Sequence, residues 1–343
     1  MSLSLSLLEG WRHLLALCAV KPQESAVMLV GDASHPDHVA AARMALTMIG
    51  TSFTVLQLGE KRTVRRHGQP IALGPTALAG NAPAVAAMKA ADIVVDLLGM
   101  YRGAEQRDIQ ASGTRVILVK EPPETFLRML PESSDKERVE AARSRLERAR
   151  SMHVRSAAGT DLHVELGEFP VLTQYGFTDT PGRWDHCPSS FVATWPNELS
   201  ARGTVVLSPG DTILPFKSYV RTPVALTIDG GFIRSIEGGF DAKYLRDYMA
   251  SFDDPEGYAV AHLGWGLGRS ALWTTLGLQD KAQTNGMDCR SFAGNFMFST
   301  GQNADIGGKR HTACHLDIPM QDCSIDLDGE TVVREGRVVG DGA

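Results

Sequence analysis

The chain has 343 residues, 43% of them apolar and 22% charged, with a formal net charge of -6. That length and composition allow one large globular domain or two smaller ones, and the scattered Lys and Arg residues offer no basic field for nucleic acid. Cys18, Cys187, Cys289, Cys314 and Cys323 are odd in number and have no CxxC spacing, which excludes a redox dithiol and fits reduced thiols in a cytoplasm.

The opening run Met1 to Leu8 is apolar, but it lacks a basic region and is broken by Glu9, Trp11 and Arg12, so no secretory signal is expected. No stretch approaches the roughly 18 uncharged apolar residues of a membrane-spanning helix, and a soluble protein with no membrane partner is expected. Leu5, Leu8, Trp11, Leu14, Leu15 and Cys18 recur at helical spacing and predict an amphipathic first helix. The apolar runs starting at Ala26, Ser52, Asp92 and Arg115 then alternate with helix-like stretches such as residues 40–49 and 82–90. Continuous β-branched runs between helices predict a parallel sheet covered on both faces.

Residues 133–151 are charged and free of Gly and Pro, with Val139, Ala142, Leu146 and Ala149 on one face, and predict a linking helix. Beyond it, short alternating runs are separated by turns, and Asp229-Gly230-Gly231 and Asp328-Gly329 are hairpin signals. The expected fold is α/β plus α+β: an N-terminal open parallel domain over residues 1–150 and a larger C-terminal domain with antiparallel strands over 151–343.

Residues two apart on a strand face the same way, so His315 and Asp317 suit an HxD metal site, although a surface hydrogen-bonded pair has the same spacing. His262 precedes a glycine run that allows close backbone approach, and is as compatible with a buried structural imidazole as with a ligand. Ser299 ends an aromatic strand at a glycine turn, where a plain turn former is the ordinary role.

Six blocks carry a more specific signal: GRWDH (182–186), TWPNE (194–198), GGFDAKYLRDYM (238–249), HLGWGL (262–267), FAGNFMFSTG (292–301) and CHLDIPM (314–320). In order and at similar spacing, between about Ala26 and Val339, they resemble the 2,5-dihydroxypyridine 5,6-dioxygenase family. The resemblance implies the fold of the thermophilic metal-dependent aminopeptidases (aminopeptidase T-like) and one Fe(II), with no organic cofactor. It places His262, Ser299, His315 and Asp317 as the metal ligands. It also implies opening of a hydroxypyridine ring with both atoms of O2 entering N-formylmaleamate, as in nicotinate degradation.

Two imidazoles, a carboxylate and a weak hydroxyl donor suit an oxygenase that keeps coordination positions open. A two-metal aminopeptidase or other hydrolase, the rival on this fold, needs more carboxylates, for which Glu165, Glu168 and Glu237 are candidates. His186 is assigned a proton-relay role beside substrate or ligand, with a structural role as the alternative. Where family members carry a Leu-His pair facing the substrate, this chain has Tyr101-Arg102, so its substrate is open to question. Arg102 cannot act as a base near neutral pH but can bind an anion with two hydrogen bonds. Trp184, Trp265, Phe296 and Phe298 are candidate walls for the ring. The histidines at 13, 35, 38, 67, 153, 163 and 311 fall in no motif and are assigned surface or core roles, and a homo-oligomer is expected.

Overall fold

The computed structural model describes residues 4–59, 76–100, 103–214 and 216–340. Tyr101 and Arg102 lie outside the described residues. Helix α1 (Leu5–Leu17) buries Leu7, Trp11, Leu14 and Leu15, while Leu5 is 68% exposed. The apolar stripe is thus rotated from the expected one, with Leu7 inside instead of Leu5, because α1 packs on α2 (Pro36–Ile49) through Trp11. The Trp11 indole donates to His38 Nδ1 at 3.0 Å and stacks on Phe126.

Strands β1 (Ser25–Val30) and β2 (Ser52–Gln57), helix α3 (Ala82–Lys89), β3 (Ile93–Asp96), helix α4 (Ala104–Ala111) and β4 (Arg115–Val119) alternate as the apolar runs predict. Two helices follow, α5 (Pro123–Arg128) and α6 (Ser133–Arg148). A capping box between Glu132 and Asp135 starts α6, which buries Val139, Ala142 and Leu146 on the face read from the sequence.

Short strands then dominate: β5 (Ser151–Ser156), β6 (Asp161–Glu165), β7 (Leu172–Gln174), β8 (Trp184–Cys187), β9 (Phe191–Thr194), β10 (Arg202–Leu207), β11 (Thr212–Ile213), β12 (Ser218–Tyr219), β13 (Val224–Asp229) and β14 (Phe232–Gly238). After α7 (Phe240–Ala250) come β15 (Val260–Gly266), α8 (Met287–Ser291), β16 (Phe296–Thr300), β17 (Leu316–Met320), β18 (Cys323–Leu327), β19 (Glu330–Arg334) and β20 (Arg337–Val338). The β13–β14 hairpin closes through Gly230 and Gly231, with φ of 55° and 78°. Both lie in the left-handed region that a two-residue type I′ turn requires.

The first sheet is parallel, in the order β2-β1-β3-β4-β8. Its fifth strand comes from residues 184–187, far beyond the linking helix. An antiparallel sheet of eight strands runs β14-β13-β10-β6-β5-β18-β19-β20, and one of five runs β17-β16-β15-β9-β7. The expected combination of a parallel α/β sheet with antiparallel α+β sheets is borne out. One apolar core extends from Leu7 in α1 to Val333 in β19, so both halves of the chain share it. All five cysteines are buried and free. Among the described residues, no helix is long and apolar enough to cross a membrane.

Candidate metal centre

The centre is built on three adjacent strands, β15, β16 and β17. Gly264 on β15 permits the close approach of β9, since a Cβ there would stand 1.9 Å from the Val192 carbonyl oxygen. The register between β15 and β16 shifts between Val260 and Leu263, and His262 sits in that irregularity. Ser299 on β16 lies directly across from Asp317 on β17, so both side chains leave the same face. His315 immediately precedes β17, two residues before Asp317.

His262 Nε2 is 3.0 Å and His315 Nε2 is 3.2 Å from Asp317 Oδ1. Two donors bound at right angles to one cation, each roughly 2.1 Å from it, stand roughly 3 Å apart, so these separations fit a shared ion. His315 Nδ1 is 2.7 Å from the Thr300 carbonyl oxygen and must carry the proton to donate there. In the neutral ring, Nε2 then presents a bare lone pair to a carboxylate oxygen, a contact that calls for a cation between them.

The other Asp317 oxygen, Oδ2, accepts a 2.7 Å bond from Arg290 Nε. Burial pushes the Asp317 carboxyl up, but the neighbouring charge, the Arg290 guanidinium foremost, outweighs it and holds the carboxyl well below its usual range. It is therefore ionised, the state in which a carboxylate can hold a cation. Ser299 is fully buried and its hydroxyl donates to the His262 carbonyl oxygen at 2.8 Å, which ties β16 to β15 at the level of the donors.

His262, Arg290, His315 and Asp317 line one wall of a cavity of about 270 Å3, while Ser299 lies behind that wall and does not reach it. Trp184, Phe191, Trp195 and Met287 supply its flat and apolar surfaces, and the Trp195 ring meets His262 edge-on at 5.4 Å. Of the four aromatics expected as walls, only Trp184 reaches the cavity. Trp265, Phe296 and Phe298 are at most 1% exposed and belong to the core, because alternate residues of β15 and β16 face away from the donors. Lys217 and Arg290 provide cations, Asp305 and Asp317 carboxylates. Glu165, Glu168 and Glu237 do not line the cavity, and Glu168 instead accepts from the Glu198 backbone N–H at 2.8 Å.

His186 also lines the cavity, delivered by β8 at the edge of the parallel sheet. Burial, then Arg290 and Lys120, lowers it to about 3, so the ring is neutral. Its neighbour Asp185 accepts from the backbone N–H groups of Tyr175, Gly176 and His186 and from Arg183, which makes it a structural anchor.

Three groups invisible to motif reading shape the site. Asp96, fully buried at the end of β3, accepts from the backbone N–H groups of Leu98, Gly99 and Met100 at 2.9, 2.8 and 2.6 Å, and so fixes the turn that leads into Tyr101-Arg102. Glu121, just past β4, accepts from Thr284 Oγ1 and from the Asn285 and Met287 backbone N–H groups at 2.7, 3.0 and 2.9 Å, clamping a cavity wall to the parallel sheet. Arg128 grips Asp288 with two bonds of 2.8 and 2.7 Å across the same junction. The available signal was weak: Asp96 follows an apolar strand and Glu121 a Lys, patterns that are common on surfaces.

A family model described as NicX, 2,5-dihydroxypyridine 5,6-dioxygenase, matches residues 6–340. A 2,5-dihydroxypyridine 5,6-dioxygenase of Pseudomonas putida (strain KT2440) is 48% identical over 335 residues, 97% of this chain and 96% of the relative. The solved structure of 2,5-dihydroxypyridine dioxygenase from the same bacterium superposes with a TM-score of 0.95 at 48% identity, covering 98% of both chains. AmpT from Thermus thermophilus matches at a TM-score of 0.63 and 14% identity, over 98% of this chain and 99% of that one, a likeness of fold alone. With the six sequence blocks, the three-strand centre and these matches in agreement, the chain belongs to the 2,5-dihydroxypyridine 5,6-dioxygenase family.

Proposed function

We propose that this enzyme is an Fe(II) dioxygenase that opens 2,5-dihydroxypyridine, or a close hydroxypyridine, between C5 and C6. Both oxygen atoms enter the product, N-formylmaleamate, in aerobic breakdown of nicotinate-type N-heterocycles in the cytoplasm. The observation that carries this reading is the convergence of His262 Nε2, His315 Nε2 and Asp317 Oδ1 on one wall of a cavity sized for a single ring. Those three residues would hold the iron with Ser299 as a weaker fourth, a set that suits non-haem Fe(II) and leaves room for other ligands. Bound there, Fe(II) supplies the one-electron chemistry that O2 needs to react with a closed-shell ring.

The chain's own residues do the rest. Trp184, Phe191 and Trp195 seat the ring and exclude water from it. Arg290 and Lys217 favour an ionised ring oxygen over a neutral one. His186, neutral before substrate binds, is placed to accept a hydrogen bond from a ring hydroxyl and to relay its proton once the negative charge of the bound ring raises the imidazole. Tyr101 and Arg102 are assigned as substrate contacts on the family resemblance alone, and residues 1–150 are proposed to close over a ring held by the metal-binding part, residues 151–343. A homo-oligomer is also proposed, on the strength of the exposed Phe240 and Leu278.

The test is anaerobic reconstitution with Fe(II) followed by oxygen-electrode assays of hydroxypyridines. One iron per chain, one O2 consumed per ring opened, and loss of both in His315→Ala and Asp317→Ala are expected. Ser299→Ala should keep part of its iron, an alcohol being the weakest of the four donors. Two metal ions per chain both lost in His315→Ala, or full turnover with Zn(II) and no oxygen uptake, would refute the proposal.

A further inference from the structure

The outer face of the eight-stranded sheet carries a second convergence of ligating groups, remote in sequence from the first. His153 on β5 and His163 on β6 are directly paired across the two strands, so their side chains leave the same face. Asp161, two residues before His163, joins them there. The alternate residues Met152, Val154, Leu162 and Val164 are core, which fixes the register and with it the outward direction of all three. The two imidazoles stack with centroids 3.7 Å apart and planes inclined by 18°. Their Nε2 atoms stand 2.7 Å (His153) and 3.3 Å (His163) from the same oxygen, Asp161 Oδ1.

We propose that His153, Asp161 and His163 form a second cation site, open to water, for a borderline divalent ion such as Zn(II) or Ni(II). Two imidazoles and a carboxylate suit these ions better than Mg(II) or Ca(II), which prefer oxygen donors. Stacking and a shared acceptor already order both rings, so little side-chain freedom is left to lose on binding. A tetrahedral ion needs its donors roughly 3.3 Å apart, which His153 reaches by a small ring displacement. Asp326, paired across from His153 on β18, adds negative charge, although Arg155 and Thr331 Oγ1 occupy its oxygens. Arg202, paired across from His163 on β10, opposes it. Water access and this balance of charge set an affinity well below that of the buried centre. The bound ion would clip together the β5–β6 hairpin, and the site does not depend on the reaction proposed above.

The test is equilibrium dialysis against Zn(II), with metal counted per chain and thermal stability followed in parallel. The metal-free enzyme should take up two equivalents. His315→Ala should lose the tighter one and keep the weaker, while His163→Gln should keep the tighter and lose at least tenfold in affinity for the weaker. Zn(II) should raise the Tm of His315→Ala but not that of the His315→Ala, His163→Gln double variant. Should His163→Gln misfold, Asp161→Asn replaces it. A single equivalent at free Zn(II) up to about 0.1 mM, or an undiminished second equivalent in folded His163→Gln and Asp161→Asn, overturns the proposal.

Discussion

Arg290 Nε donates to Asp317 Oδ2 at 2.7 Å, and this bond leaves only Oδ1 of the carboxylate turned toward the two imidazoles. The guanidinium thereby selects which oxygen faces the ligand cluster, and its Nη1 is held in turn by the Asn285 carbonyl.

Because Lys cannot hold the carboxylate and the Asn285 carbonyl at once in the same fork, Arg290→Lys should lose roughly 10- to 100-fold in Fe(II) affinity. Fe(II) titration with a competing chelator measures this directly. An unchanged affinity would mean that the β17 backbone alone orients Asp317.

Glu121→Ala removes the carboxylate that accepts from Thr284 Oγ1 and from the backbone N–H groups of Asn285 and Met287 beside a buried cavity wall. A loss of about 3 kcal/mol is expected by denaturant unfolding, together with a raised KM, since Asn285 and Met287 line the cavity. A stable variant with an unchanged KM would show that the wall is held from the C-terminal side alone.

His38 gives a pH dependence of defined sign. Its ring accepts from Trp11 and donates to the Glu121 carbonyl, and burial lowers it from 6.5 to about 4. The unfolded chain therefore binds the proton first. The contribution of neutral His38 is complete above pH 6.5 and shrinks as pH falls toward 4, amounting to about 2 kcal/mol between pH 7 and pH 5. Unfolding free energies at those two pH values, compared with His38→Gln, should differ by that amount. Parallel pH profiles would place the acid sensitivity elsewhere.

Arg102 puts a permanent cation where family members carry a His assigned to face the substrate. A carboxylated hydroxypyridine should consequently gain on plain 2,5-dihydroxypyridine, by roughly one to two decades in kcat/KM. Arg102→His should reverse that preference. If the ratio of the two substrates is the same in both proteins, Arg102 does not read the ring substituent.

The parallel strands and the linking helix were legible because each rests on a local pattern, a continuous apolar run or a 3.6-residue stripe. His315 and Asp317 were legible for a similar reason, since a two-residue spacing on a strand fixes a common face. His262 and Ser299 needed the longer blocks, as neither has a partner within its own segment. Trp195 and Arg290 gain their roles from contacts across distant segments, which no local pattern encodes. Three of the four wall aromatics were misjudged for a related reason: Trp265, Phe296 and Phe298 stand an odd number of residues from His262 or Ser299, and on a strand such residues face opposite ways. His153 and His163 have no motif at all until β5 and β6 pair.

The late arrival of β8 bears on how the chain must be made. Strand β4, all five of its residues buried, pairs with β3 on one side and with β8 on the other. During synthesis, until Trp184–Cys187 has left the ribosome, β4 is therefore a bare apolar edge, a template for pairing between nascent chains. A fragment ending at residue 150 should aggregate when expressed alone and should be rescued by co-expression of the remainder. The strand that shields this edge also carries His186, so protection of the nascent sheet and delivery of the proposed proton acceptor occur in one step.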